Sequence, residues 1–150
     1  MLPKTVITRS PEETEEVGKS LAAAMTDDST LPPFVAFYGD LGVGKTAFIR
    51  GFVSVISPSS AVRSPTFALV NEYRGGARPV FHFDMYRIED EDDLYSIGFD
   101  DYPDRGICLI EWSENIPFAL PEEYIRVFIQ KTPDDENQRS IMIERIEKTC

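Results

Sequence analysis

The chain has 150 residues, of which 42% are hydrophobic and 27% are charged, and its formal net charge is −11. This composition predicts a single globular domain over residues 1–150 and excludes a disordered protein. The sequence has no long apolar run and no signal-peptide pattern, so we expect a cytoplasmic protein. The acidic balance argues against extensive direct contact with nucleic acid, which needs lysine and arginine to neutralise phosphates.

The two cysteines and the single histidine limit the metal chemistry open to the chain. Cys108 lies in an apolar run and Cys150 is the last residue, a usage that fits a reducing compartment and forms no metal-ligand spacing. His82 alone cannot build a multi-histidine cluster. Any metal site must therefore use carboxylates, hydroxyls and phosphates.

Residues 10–13 predict the start of a helix. Ser10 suits the N-cap, Pro11 the first helical position and Glu13 the capping-box position. Three apolar residues then recur at four-residue spacing and indicate one buried face, namely Val17, Leu21 and Met25. A polar loop over residues 27–33 follows.

A complete P-loop comes next, between an apolar run at residues 34–38 and an amphipathic stretch. Its eight residues are Gly39, Asp40, Leu41, Gly42, Val43, Gly44, Lys45 and Thr46. The glycines let backbone N–H groups converge on phosphate oxygens at a helix start, and the lysine adds a positive charge. The threonine hydroxyl can bind a Mg²⁺ that bridges the outer phosphates.

The context favours this interpretation over an idle glycine turn. The apolar run predicts a buried strand that ends where the loop begins. After the loop, helical spacing predicts a buried face with small residues beside it, formed by Phe48, Phe52, Val55, Ala47 and Gly51. Residues 57–60 end this helix.

The remaining residues are predicted to be mostly extended. Segments 67–70 and 80–83 flank a turn at 74–77 and indicate a hairpin, and a short acidic helix over Asp90 to Ile97 ends at Gly98. Segment 107–110 predicts a buried strand, and segments 124–129 and 140–146 alternate around a turn at 134–137. We expect a P-loop NTPase-like, three-layer α/β domain with a central, mostly parallel sheet and antiparallel additions.

Acidic residues concentrate at 89–93 and 100–101. They are consistent with a solvated helix start and loop, or with a docking surface for a basic partner.

Hydrolysis or transfer needs a second set of groups besides the P-loop. Glu111 and Asp84 each follow an apolar run, at the strand end where open α/β sheets place ligands, although either could simply cap a loop or pair with an arginine. Thr66 lies where a switch loop often presents a hydroxyl to Mg²⁺, or in a plain turn before a strand. Trp112 is either an aromatic wall of the site or a core residue.

The ordered motifs together resemble the TsaE (YjeE) family. The resemblance rests on the P-loop followed by Ser64-Pro65-Thr66-Phe67, His82-Phe83-Asp84-Met85-Tyr86-Arg87 and Leu109-Ile110-Glu111-Trp112, and it runs from about Ser10 to Trp112. It implies an ATPase that assists threonylcarbamoyladenosine modification of tRNA by docking on TsaD and TsaB proteins. ATP is favoured over GTP because no Asn-Lys-x-Asp element is present.

The resemblance also implies roles for individual residues. The P-loop holds the phosphates, Thr46 and Glu111 hold Mg²⁺, and Thr66 and Asp84 act around the γ-phosphate and the attacking water, with Lys45 as the third catalytic group. Thr14 corresponds to the adenine-side contact of the family, and Arg139 is a second candidate for contact with the nucleotide.

One departure and one rival function accompany this interpretation. Many relatives carry glutamate after the leucine of the acidic segment, where this chain has Leu94-Tyr95. The rival function is a small-molecule kinase with Asp84 as base and Arg87 as substrate clamp, but no arginine-rich lid segment accompanies it. A binding module without turnover is a further alternative.

Overall fold

The computed structural model describes residues 2–39, 44–62 and 70–147, and seven of the described segments form one sheet. The strands are β1 (Lys4–Thr8), β2 (Phe34–Tyr38), β3 (Val70–Tyr73), β4 (Val80–Asp84), β5 (Ile107–Glu111), β6 (Tyr124–Thr132) and β7 (Asp135–Ile146). The helices are α1 (Pro11–Asp27), α2 (Lys45–Ile56) and α3 (Glu91–Ser96), with 3₁₀ turns at Phe99–Asp101, Ser113–Asn115 and Pro117–Ala119. Within these residues, no helix is both long and apolar enough to cross a membrane.

The sheet is parallel in the middle and antiparallel at its edges. Its strand order is β1-β7-β6-β2-β5-β4-β3. The inner strands β6, β2, β5 and β4 pair in parallel, whereas β3 pairs antiparallel with β4, β7 with β6 and β1 with β7. The predicted mixed α/β domain with a central parallel part and antiparallel additions is confirmed.

Each face of the sheet has its own apolar core. Alternate residues of the strands pack with α1 and α2 on one face, where Phe48 and Phe52 are fully buried. The intervening residues of β2, β4 and β5 pack on the other face with Leu94 of α3 and Phe99. Because successive side chains of a strand point to opposite faces, strands covered on both sides read as continuous apolar runs, as in 107–110.

Helix α1 begins as the local sequence predicts, with one difference at the cap. The Ser10 side chain accepts a hydrogen bond from the Glu13 backbone N–H at 3.1 Å. Glu13 reaches back one residue further than in a capping box and accepts from the backbone N–H of Arg9 at 2.7 Å. The predicted face of Val17, Leu21 and Met25 is buried.

Two glycines allow α1 and α2 to cross with their backbones almost in contact. A Cβ on Gly18 would lie 2.0 Å from the carbonyl oxygen of Phe48, and a Cβ on Gly51 would lie 1.9 Å from that of Glu15. No side chain fits at either position without moving a backbone. The crossing therefore requires glycine on both helices.

The predicted apolar face of α2 is correct at Phe48 and Phe52 but wrong at Val55. Val55 lies in the last turn of the helix and is 39% exposed. Ile49 and Val53 complete the buried face instead, so the buried arc of α2 is wider than the predicted stripe. Ser57 caps the end of the helix, as predicted.

The antiparallel additions differ from prediction at the last turn. Strands β6 and β7 join through a turn between Thr132 and Asp135, in which Asp134 has a φ of 69°. The predicted turn at 134–137 starts too late because Asp135 and the polar residues after it already belong to β7. In the first hairpin β3 pairs with β4 from Val70 onward, and the predicted extension at 67–69 lies outside the described residues.

Acidic side chains build the start of α3. The Asp90 side chain accepts from the Asp93 N–H at 2.9 Å, and the Asp93 carboxylate accepts from the Glu89 N–H at 3.0 Å. Negative groups at a helix start are favourable because the dipole is positive there. Two members of the acidic cluster thus have local structural roles, and Gly98, with a φ of 71°, ends the helix as predicted.

Candidate functional site

The carboxyl ends of three neighbouring parallel strands meet at one edge of the sheet. Strand β2 ends before Gly39, β5 ends at Glu111 and β4 ends at Asp84, and the last two residues are partners in the strand register. Backbones of paired strands lie about 4.8 Å apart, so these carboxylates start from adjacent positions. Strand alternation turns both toward the face that carries α2. The predicted grouping of Asp84 and Glu111 is therefore present.

Helix α2 starts at the same edge. Gly39 and Gly44 have φ values of 136° and 110°, which only glycine adopts without strain, so both bends of the loop need glycine. Lys45 is the first residue of α2 and is only 6% exposed. Its Nζ donates to the carbonyl oxygen of Gly39 at 3.0 Å and lies 4.8 Å from the centre of the Trp112 ring. The lysine ammonium is thus held at the helix start, where an anion would bind.

The rest of the predicted loop is described only in part. Thr46 lies exposed in the first turn of α2. Asp40, Leu41, Gly42 and Val43 lie outside the described residues. The predicted switch residue Thr66 also lies outside them.

Asp84 is half-buried at the end of β4. Its Oδ1 accepts a hydrogen bond from the backbone N–H of Tyr86 at 3.0 Å. Burial raises the pKa of Asp84 above its usual value, and the nearby Glu111 carboxylate raises it further. The Tyr86 N–H, His82 and Lys45 act on this pKa in the opposite direction. Asp84, Glu111 and Lys45 therefore form one electrostatic group.

Glu111 is held by residues that the sequence analysis did not assign to the site. Its Oε2 lies 2.6 Å from Nε2 of His82, and Nδ1 of His82 lies 3.1 Å from the hydroxyl of Tyr73. His82 is completely buried and Glu111 is 8% exposed. A polar residue in the middle of an apolar strand was the available signal, because a buried imidazole needs hydrogen-bond partners.

Trp112 lies next to Lys45 and also packs on the core. Its backbone is left-handed, with φ 60° and ψ 43°, a strained conformation for a bulky residue. Its ring contacts Lys45 and lies 5.1 Å from the ring of Tyr86. Its packing on the core is therefore observed, and its role as an aromatic wall of the site stays a prediction.

Asn115 fixes the segment that follows β4 and is a further residue missed from sequence. Its Nδ2 donates to the carbonyl oxygen of Met85 at 2.9 Å. The backbone N–H of Met85 in turn donates to the carbonyl oxygen of Glu111 at 3.0 Å. These bonds tie the segments after β4 and β5 together, directly beside Asp84 and Trp112. Asn115 lies 30 residues from Met85, so no local pattern reveals the contact.

Thr14 and Arg139 lie along the same edge, beyond the start of α2. Thr14 is buried, its hydroxyl is 2.8 Å from that of Thr8, and its methyl group lies 3.8 Å from the position of a Cβ on Gly44. Arg139 pairs with Thr8 in the register of β1 and β7, and its guanidinium donates to the carbonyl oxygens of Glu136 and Gln138. The fold brings both residues to this side of the loop, and their contact with a nucleotide stays a prediction.

The donor atoms suit Mg²⁺ only together with phosphate. Glu111, Asp84 and the Thr46 hydroxyl offer the oxygen ligands that this hard cation prefers. No cluster of three or more His, Cys, Asp or Glu residues that could hold a metal occurs in 2–39, 44–62 or 70–147. Such a sparse set fits an ion that keeps several waters and takes its other ligands from phosphates.

Comparison with known proteins gives a consistent family. The family model described as "Threonylcarbamoyl adenosine biosynthesis protein TsaE" matches residues 8–141. The tRNA threonylcarbamoyladenosine biosynthesis protein TsaE of Bacillus subtilis is 39% identical over 132 residues, which cover 87% of this chain and 80% of that protein. The protein of the same name from Rickettsia bellii is 33% identical over 145 residues, covering 96% and 98%.

A solved structure agrees with the sequence relatives. The crystal structure of Bacillus subtilis YdiB superimposes with a TM-score of 0.73 at 31% identity and covers 95% of this chain and 86% of that one. The family match extends past the segment that carried the motif resemblance and includes β6 and most of β7. The chain therefore belongs to the TsaE family.

Proposed function

We propose that this protein is a P-loop NTPase-like ATPase that binds and slowly hydrolyses Mg²⁺-ATP in the biosynthesis of threonylcarbamoyladenosine in tRNA. The observation that carries the proposal is the position of Lys45, at the first residue of α2, with its Nζ 3.0 Å from the Gly39 carbonyl oxygen and 4.8 Å from the ring centre of Trp112, which directly follows Glu111. A cation at a helix start beside two carboxylates at parallel strand ends is suited to phosphates and their metal.

The outer phosphates would bind at the start of α2. Their oxygens would accept from backbone N–H groups of residues 39–46, while Lys45 exchanges the Gly39 carbonyl for a phosphate oxygen. Charge favours this exchange, because a phosphate is a stronger acceptor than a neutral carbonyl. Thr46 and Glu111 would hold Mg²⁺, which supplies charge stabilisation for phosphoryl transfer.

Asp84 and Thr66 would act next to the γ-phosphate. Asp84 is the residue to orient the attacking water, since it is half-buried and its pKa is raised toward the range useful to a base. The Tyr86 N–H occupies its Oδ1, which leaves Oδ2 for the water. Thr66 would contribute its hydroxyl to the metal or the γ-phosphate.

The nucleoside end would extend toward the side of the edge formed by Thr8, Thr14 and Arg139. Thr14 lies against Gly44, at the start of α2, where the phosphates would bind, and this supports its place on the nucleoside side. Arg139 would contribute its guanidinium to the nucleotide, because it pairs with Thr8 in the strand register on this side of the edge. Adenine is favoured over guanine, for which the chain has no recognition element.

The ATPase would work inside a complex with TsaD-like and TsaB-like proteins. Relatives are described as tRNA threonylcarbamoyladenosine biosynthesis proteins, and a net charge of −11 does not suit direct binding of tRNA. The partners would hold the RNA, and hydrolysis would time their cycle. Slow turnover by the isolated chain is expected, with partners completing a transition-state site that the chain alone does not preorganise.

Phosphate release from ATP tests this function. The purified chain should release phosphate slowly with Mg²⁺, faster with TsaD and TsaB candidates, and not at all as Lys45→Ala. Isothermal titration should show that Lys45→Ala also loses most of its ATP affinity. Transfer of phosphate to an added metabolite would instead indicate a kinase, and tight ATP binding without phosphate release in the presence of partners would indicate a binding module.

A further inference from the structure

His82 is an unusual residue for its position. It lies in the middle of β4, between Phe81 and Phe83, and no part of its side chain is exposed. A buried imidazole is costly unless both ring nitrogens are hydrogen-bonded. Both are, one to Tyr73 on β3 and the other to Glu111 on β5. Three adjacent strands therefore contribute one residue each to a buried polar chain.

The direction of the hydrogen bonds follows from the donor inventory. An ionised Glu111 carboxylate only accepts, so Nε2 of His82 carries the proton and donates to Oε2. In a neutral imidazole Nδ1 is then an acceptor for the Tyr73 hydroxyl, whereas in an imidazolium Nδ1 donates to the hydroxyl oxygen. In either protonation state of His82 both ring nitrogens have a partner, so the chain Tyr73–His82–Glu111 is satisfied.

We propose that His82 and Tyr73 are positioning residues that hold Glu111 in the orientation needed to bind the metal. This inference rests on the proposed function. The hydrogen bond occupies Oε2, so Oε1 would be the oxygen available to the metal or its water. Glu111 belongs to a rigid inner strand, and locking its remaining side-chain torsions lowers the entropy lost when the metal binds.

A core histidine that merely satisfies its own polar atoms is the competing explanation. The two explanations differ in what the loss of His82 does to a folded protein. If His82 is only a core residue, its replacement changes stability and leaves metal affinity as it was. If His82 positions Glu111, metal affinity falls even in a variant that folds normally.

The test is Mn²⁺ binding to the protein saturated with AMP-PNP, measured by electron paramagnetic resonance, which needs no turnover. Mn²⁺ stands in for Mg²⁺ because both prefer oxygen ligands. We expect His82→Leu to weaken Mn²⁺ binding about 10-fold or more, as losing a supporting residue does elsewhere. His82→Gln, which keeps an N–H donor near the Nε2 position, should restore part of the loss. AMP-PNP affinity in EDTA should be unchanged in both.

Tyr73→Phe removes one hydroxyl and keeps the ring, so it tests the chain even if His82→Leu does not fold. It should weaken Mn²⁺ binding less than His82→Leu does. In a Glu111→Gln background, replacing His82 should have no further effect, because residues that act through one another are not additive.

Two results would overturn the inference, and they are distinguishable. His82 would be a core residue and nothing more if folded His82→Leu binds Mn²⁺ as tightly as wild type while Glu111→Gln binds it more weakly. Where His82→Leu does not fold, Tyr73→Phe takes its place in this comparison. Wild-type Mn²⁺ affinity in Glu111→Gln itself would remove Glu111 from the metal site and overturn the proposed metal role as well.

Discussion

The crossing of α1 and α2 makes a quantitative prediction for Gly51→Ala. The added Cβ would lie 1.9 Å from the Glu15 carbonyl oxygen, whereas ordinary contact begins near 3.4 Å, so the two helices must separate locally by about 1.5 Å. The clash involves backbone on both sides, so no side-chain rotation relieves it. Overpacking of this kind costs about 1–3 kcal/mol.

The intrinsic helix preference of alanine acts in the opposite direction. Alanine is favoured over glycine within a helix by about 1 kcal/mol, which offsets part of the cost. We expect Gly51→Ala to lower the free energy of unfolding by about 0–2 kcal/mol and the melting temperature by up to about 8 °C.

Urea denaturation followed by far-UV circular dichroism measures the change. Ala23→Gly, at an exposed position of α1, is the matched control and should lose about 1 kcal/mol from helix preference alone. Gly18→Ala should resemble Gly51→Ala, and the double variant should lose less than the sum, because one separation relieves both clashes. A Gly51→Ala protein about 1 kcal/mol more stable than wild type, which is the gain expected from helix preference alone, would refute the close-approach argument.

Three further predictions concern residues around the site and in the core. Without metal, Asp84→Asn should raise the free energy of unfolding at pH 7, because the raised pKa of Asp84 means that its charged carboxylate destabilises the folded state. This gain in stability should vanish as the pH falls below the ordinary aspartate pKa of about 3.9. A gain that persists at pH 3 in urea titrations would contradict this origin. Burial raises the pKa of Cys108 to about 12, so iodoacetamide at pH 8 should label this thiol only after the protein unfolds. Mass spectrometry of a Cys150→Ser variant measures the labelling. Rapid labelling in native buffer would show that the Cys108 thiol is accessible. Asn115→Ala should lower the free energy of unfolding by about 1 kcal/mol in urea titrations, since it removes the hydrogen bond to the Met85 carbonyl oxygen. The variant should also release phosphate from ATP more slowly. An unchanged ATPase rate would mean that the segment after β4 does not need the Asn115 hydrogen bond.

Local chemistry explains why several elements were predictable. The start of α1 depends on Ser10, Pro11 and Glu13, which are consecutive or nearly so, and the bends of the P-loop need glycines that the motif itself contains. Strand β5 reads as a buried run because both of its faces are covered. Such features need only neighbours within a few residues.

The errors and omissions have a different origin. The exposure of Val55 depends on where α2 ends relative to the sheet on which it packs. The position of the turn before Asp135 depends on the register of β6 and β7. Neither quantity appears in a short segment of sequence. The roles of His82 and Asn115 likewise depend on partners 29 or 30 residues away.

The sequence by itself predicted the phosphate-loop motif, the two carboxylates at strand ends and the buried strands, because each depends on residue types within a few positions of one another. Tertiary structure alone decided how Glu111 is held and how closely α1 approaches α2. Two hydrogen bonds that link three adjacent strands, and a close approach of two helix backbones, exist only once the sheet register and the helix crossing are set. The first feature depends on the ring nitrogens of His82 and the second on the absence of a Cβ at Gly18 and Gly51, and in both cases the contacting residues are distant in sequence.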